Sequence, residues 1–223
     1  MTNGVNPVFD SAQAPFAENQ HIAVAIGFVD ANQRHVGLLH HDSESNGVRL
    51  LHLAWHHRLA NDSPTHDYLR VDPVIHPRRQ LQVAAICRKV LRANPTGIPY
   101  AFSAPNDCFD EATGQFLLGP ARHGLTCASF VLAVFHVAGL PLVDYGTWPL
   151  NRTGDREWQV QIVAALQRGP ATPEHVEAVR GEIGSVRFRP EEVAGAATVS
   201  PLPAGFDIAT DRGRQILERL RDG

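Results

Sequence analysis

The stretch from Cys127 to Ala138 constrains the fold more than any other. It reads CASFVLAVFHVA, apolar nearly all the way round. A helix that is hydrophobic on every side has to be enclosed by other elements. Thr126 is a suitable N-cap. Phe130, Val131, Val134, Phe135 and Ala138 then share a face at helical spacing, and Gly139 with Pro141 beyond it ends the run. The chain is therefore expected to build its core around a buried helix whose first turn carries a cysteine.

Upstream, three short apolar runs are separated by polar turns: His21 to Val29, His35 to His40 and Val48 to Trp55. The turns fall at Asp30-Ala31-Asn32-Gln33 and at Asp42 to Gly47. This pattern predicts an antiparallel meander. A helix follows over Pro77 to Arg92, started by Pro77 and stopped by Asn94-Pro95. Gly97 to Gly124 is irregular and long, which points to a functional loop. Beyond Tyr145, helices are expected near Asp155–Arg168, Pro173–Gly184 and Asp211–Arg221, with a short strand at Val186 to Phe188 and a break at Pro201-Leu202-Pro203. The fold class expected is α+β: a small antiparallel sheet on the buried helix, with extra helices at the C-terminus. The expected organisation is a flexible lead over residues 1–20, a core over 21–145 and a helical elaboration packed on it over 146–223.

Composition removes several functions. The formal net charge is −3 and the basic residues are scattered, so no basic face for nucleic acid is expected. No run reaches the roughly 18 apolar residues of a membrane-spanning helix. The polar, proline-bearing start lacks the pattern of a secretory signal, so a cytoplasmic location is expected, with signal-independent export left open. Three cysteines, none in a C-x-x-C pair, argue against both a disulfide framework and a cysteine-rich zinc site. No G-x-G-x-x-G or phosphate loop occurs, so no cofactor is expected.

Cys127 is the residue that can carry chemistry. A helix N-terminus has partial positive charge and free N–H groups, which favour a thiolate and can hold an oxyanion. The competing reading is a small buried apolar residue. A nucleophilic thiol needs an imidazole within reach and a further polar group to orient it. His35 opens one predicted strand and His52 lies within the next, so the two can stand together on one face if the strands pair. The pairs His40-His41 and His56-His57 look like metal tracts, but without H-E-x-x-H they read as surface or loop residues, and no metal is expected. Cys87 lies in a predicted helix, and Cys108 sits beside Asp107 and Asp110, whose charges disfavour a thiolate. Ser129 lacks a G-x-S-x-G elbow. His136 reads as packing.

Four segments in order, His35-Val36-Gly37-Leu38-Leu39, Leu50-Leu51-His52-Leu53, Pro99-Tyr100-Ala101-Phe102 and Leu125-Thr126-Cys127-Ala128-Ser129-Phe130-Val131, resemble the circularly permuted papain-like group of the NlpC-type superfamily. That group includes YiiX-like hydrolases and lecithin:retinol acyltransferase-like proteins. The resemblance covers His21 to Leu140. It implies a permuted papain-like fold with Cys127 as nucleophile, His35 as base and acid, and His52 as orienting residue. Asp42 and Glu44 are alternatives for the third place, since YiiX-like members use an acid there. Tyr100, Thr126 and His123 are expected at the substrate. The implied reaction is amide hydrolysis by a peptidase or amidase through a thioester. The alternatives are thiol acyl transfer to lipid or amine acceptors, or an inactive binding module. Peptides, peptidoglycan and lipid-acyl groups are the substrates it allows. Asn106 to His123 is an insertion relative to the group, and the chain beyond Leu140 has no counterpart in it.

Overall fold

A computed structural model of the chain describes residues 9–30, 33–42, 47–119 and 122–222. Ala31, Asn32 and Glu44, named above in turns or as a site alternative, lie outside these residues. The chain is α+β. Its antiparallel sheet runs in the order β1-β6-β2-β3-β4-β5. The strands are β1 (Phe9–Ser11), β2 (Ile22–Phe28), β3 (Arg34–Asp42), β4 (Gly47–Trp55), β5 (Arg58–Asp62) and β6 (Tyr68–Val71). The helices are α1 (Pro77–Ala93), α2 (Cys127–Val137), α3 (Asp155–Arg168), α4 (Pro173–Gly181), α5 (Pro190–Ala197) and α6 (Phe206–Asp222).

The meander β2-β3-β4 is the centre of the sheet, and strand alternation gives its two faces different partners. Ile22, Val24, Ile26, Val36, Leu38, Leu51, Leu53 and Val71 join α1, α2 and α5 in one core. Helix α2 lies in it with every residue from Cys127 to Phe135 buried. Phe130 and Phe135 are wholly enclosed; truncating such a side chain to alanine costs about 3–5 kcal/mol. Ala23, Ala25, Leu39 and Leu50 face the other way and are covered by Ala12 and Phe16. The buried Arg70 ties that cover down, donating from Nη1 to the carbonyls of Ala14 and Pro15. The stretch from Phe9 to Phe16 is thus part of the fold, whereas the sequence suggested a flexible lead.

The C-terminal third joins the same core through Val193, Ala209 and Ile216. No strand forms at Val186 to Phe188, unlike the expectation. Helix α5 replaces a stretch the sequence left unassigned. It buries Glu191 and Glu192, tolerable because Arg34 and Arg152 pair with them. Among the described residues no helix is long and apolar enough to cross a membrane.

Candidate active site

Strands β3 and β4 pair from Asp42 with Gly47 to Leu38 with Leu51, and among the described residues the register goes no further. Beyond that point β3 continues on β2, down to Arg34 opposite Phe28. β4 continues on β5, with an irregularity between Leu53 and Trp55. The parting of the strands makes the site. Arg34 and His35 lie on one lip, Ala54 and Trp55 on the other, and Thr126, Cys127 and Ala128 line the opening. The Val36 N–H favours the thiolate form of Cys127. A cavity of about 150 Å³ results, lined by His35, Trp55, Tyr100, Thr126, Cys127 and Arg187 among others.

His35 and His52 are both buried. His35 Nε2 is 2.7 Å from His52 Nδ1, and His52 Nε2 is 3.0 Å from Asp62 Oδ2. Asp62 lies one diagonal step from His52 in the β4–β5 register, where His52 faces Ala60. Such diagonals are close enough for long side chains to meet. The chain of bonds fixes the tautomers. A carboxylate only accepts, so His52 carries its proton on Nε2, and its Nδ1 is then an acceptor. His35 donates from Nε2, which leaves Nδ1 as its basic lone pair. Burial, then the adjacent His52, lower the His35 pKa from 6.5 to about 3, so the ring is neutral at pH 7.

Cys127 is the first residue of α2, and the helix start is closed by a reciprocal box. Thr126 Oγ1 accepts from Ser129 N–H at 3.1 Å, and Ser129 Oγ accepts from Thr126 N–H at 2.8 Å. Burial pushes the Cys127 thiol above its ordinary pKa, against the N–H groups of Val36 and Ala128, the Tyr100 hydroxyl and the Arg187 charge. This corrects the thiolate expected from helix position: desolvation outweighs the helix terminus. The Cys127 thiol and the neutral His35 imidazole thus line one cavity.

Tyr100 reaches the same atoms. Leu125 runs beside it in a parallel bridge, with Leu125 N–H donating to Pro99 O at 3.0 Å. Gly124, at φ +152°, permits that approach, since a Cβ there would lie 2.1 Å from Pro99 O. The Tyr100 hydroxyl and Cys127 act on each other's ionisation: the hydroxyl favours the thiolate, and burial, then the cysteine, push the phenol well up. Of the histidine pair on the β4–β5 turn, His56 serves this residue, while His57 Nδ1 lies 3.1 Å from Thr96 O. Tyr100 N–H donates to His56 Nδ1 at 3.2 Å, and His175 Nε2 lies 3.0 Å from Tyr100 O. No cluster of metal-ligating type occurs among the described residues.

The other sequence candidates fall elsewhere. Thr126 lines the cavity, but its hydroxyl is occupied in the cap. His123 is not in the cavity lining; its Nδ1 pairs with Glu182 at 2.8 Å, and its N–H donates to Ser103. Asp42 lies at the far end of β3, opposite Gly47. Cys87 and Cys108 are buried away from the cavity, each thiol pushed up to about 12 by burial. The residues missed by sequence reasoning are Asp62, Trp158 and Arg187. For Asp62 a signal existed: Trp55-His56-His57-Arg58 is a tight hairpin joint, and a fourth strand after it carries Asp62 past His52.

No protein-family model, curated protein or solved structure matches the chain.

Proposed function

We propose that this chain is a cysteine-dependent amide hydrolase, a peptidase or amidase working through a thioester on Cys127. The observation that supports it is the relay Asp62–His52–His35, whose last ring lines the cavity that holds Cys127 and keeps Nδ1 as its free basic nitrogen. A carbonyl entering the cavity meets the sulfur at the start of α2. As the C–S bond forms, the thiol proton passes to His35 Nδ1, and the imidazolium is steadied through His52 by Asp62. The developing oxyanion takes the place at Cys127 N–H and the Tyr100 hydroxyl. His35 then gives its proton to the leaving amine as the C–N bond breaks. Water attacks the thioester with His35 again as base, releasing the acid and restoring the thiol. Peptides fit this scheme, as do peptidoglycan stems and lipid amides.

The permuted papain-like resemblance of the four segments points the same way. A second reading, a binding module that keeps Cys127 for packing, draws on the thiol's burial and raised pKa. Acylation separates the two. With p-nitrophenyl acetate the enzyme gives a burst of nitrophenol and one acetyl group on Cys127 by peptide mapping. The burst disappears in Cys127→Ala and slows by about 10²–10⁴ in His35→Gln. Acetyl found only on other residues, or a burst that survives Cys127→Ala, would establish the binding module instead.

A further inference from the structure

The cavity wall contributed by the C-terminal third carries a cation that the relay does not use. Arg187 lines the same cavity as Cys127, with its guanidinium 4.0 Å above the ring of Trp158. Its Nε is buried and has no hydrogen-bond partner. Its one hydrogen bond among the described residues runs from Nη1 to Asp155 Oδ1 at 3.2 Å. That carboxylate is shared three ways, since Arg152 reaches it at 2.9 Å and Arg189 at 2.9 Å. Arg152 has a second acid in Glu192, and Arg34, the other arginine on this wall, is held by both oxygens of Glu191. Arg187 is thus the under-neutralised member of the network. A buried guanidinium short of acceptors is costly unless something supplies them. Its main chain is fixed as well, because Arg187 O accepts from Arg152 Nη2.

We propose that Arg187 is a substrate-anion anchor, and that the acyl substrate carries a carboxylate close to the carbonyl attacked by Cys127. The inference rests on the amide-hydrolase reading of this cleft. A guanidinium presents a planar fork that matches a carboxylate, and stacking on Trp158 holds that plane in place. Arg187 and Cys127 line the one cavity, and the Arg187 charge acts against the burial that raises the thiol's pKa. A cavity of about 150 Å³ leaves room for a small acidic group beside the reacting carbon. The preferred substrate is then an amide whose acyl side is an acidic amino acid or a short dicarboxylate. A neutral fatty acyl chain is disfavoured.

Two alkylating agents of equal reach test this without knowledge of the substrate. Iodoacetate and iodoacetamide differ by a carboxylate in place of an amide, and both react with the thiolate. Their rate ratio at Cys127 therefore cancels any change in thiol pKa. The ratio is measured by peptide mapping at pH 8.5 and low salt, with the urea-unfolded chain as reference. The folded wild type should exceed the reference by about tenfold, the worth of one charge-assisted hydrogen bond. The excess should shrink with added salt and vanish in Arg187→Gln, while Arg34→Gln keeps it. A wild-type ratio at or below the reference, or an excess lost in Arg34→Gln and kept in Arg187→Gln, overturns the anchor while leaving the nucleophile intact. Labelling of Cys127 by neither reagent removes the nucleophile and the anchor together. The wild-type excess and its salt dependence need no variant, so a failure of Arg187→Gln to fold does not protect the proposal.

Discussion

Gly37 stands directly against His52: a Cβ at position 37 would lie 2.7 Å from the Cβ of His52 and 2.9 Å from Leu50 Cδ1. The His52 Cβ is fixed by the backbone of β4 and cannot swing clear, and neither can Leu51 O at 3.0 Å. The contact sits where β3 and β4 begin to part, and it sets how far His52 leans toward His35. Gly37→Ala should push β4 outward and stretch the 2.7 Å bond between the rings. Loss of about 10–100-fold in acylation rate is expected, in the range of disturbed supporting hydrogen bonds, with a stability cost of about 1–3 kcal/mol for overpacking. Burst kinetics and urea unfolding on the same preparation read both. An unchanged burst would mean that the lean of His52 does not matter.

The relay grades its members by burial. His52 is enclosed, whereas the Asp62 side chain is 57% exposed. His52→Ala leaves the His35 Nε2 donor buried without an acceptor and should slow acylation by about 10²–10⁴. Asp62→Asn should slow it less than tenfold, since water can replace an exposed acceptor. Equal losses would show that Asp62 acts from a more protected place than its exposure indicates.

Acid should weaken the fold through two histidines. His35 is lowered to about 3, and His56 to about 4 by burial and by the neighbouring His175 and His57. Between pH 6.5 and 4 the unfolded chain takes up protons at both positions that the folded chain refuses. Stability therefore falls as pH falls through this window. The urea midpoint should drop steadily from pH 7 to 4. His56→Gln should make that drop shallower, and a variant with the wild-type slope would remove His56 from the account.

The thiols should separate by place. In the folded chain Cys87 and Cys108 are expected to resist iodoacetamide at pH 8, and Cys127 to label with an apparent pKa above the ~8.5 of an ordinary thiol. Tyr100→Phe removes the hydroxyl that favours the thiolate and should raise that midpoint further. A Cys127 midpoint well below 8.5 would restore the helix-terminus thiolate that burial opposes here.

Thr126→Ala tests the helix start alone. It deletes the acceptor for Ser129 N–H and the 3.1 Å hydroxyl contact between the two side chains, while the backbone N–H at 126 keeps its bond to Ser129 Oγ. The expected cost is about 1–2 kcal/mol in urea unfolding. A cost near zero would mean that tertiary packing alone places Cys127.

What the sequence reveals follows from how local each signal is. Helices α1, α2 and α3 carry their own starts and stops, as in Pro77, Thr126 and the acidic first turn of α3, so their bounds can be read directly. The strands holding His35 and His52 show as apolar runs. β5 offers only Leu59 and Ala60 among polar residues, so neither it nor Asp62 stands out. α5 hides for another reason: its two glutamates look like surface until arginines distant in sequence are known to pair with them. The state of the Cys127 thiol is the least local of all. Helix position argues for a thiolate, but the enclosure that reverses the argument is assembled from β3, Tyr100 and the C-terminal third.

That last wall has a consequence for how such a protein can change. The nucleophile and its imidazole come from the sheet and the helix docked on it, whereas Arg187, Phe188 and Pro190 reach the cavity from the far end of the chain. The bidentate clasp between Arg34 and Glu191 joins the two contributions at the rim. If the proposed hydrolysis holds, selectivity and reactivity are written on separate stretches of sequence, and mutation can redraw what is admitted to the cleft while the proposed nucleophile and relay stay as they were.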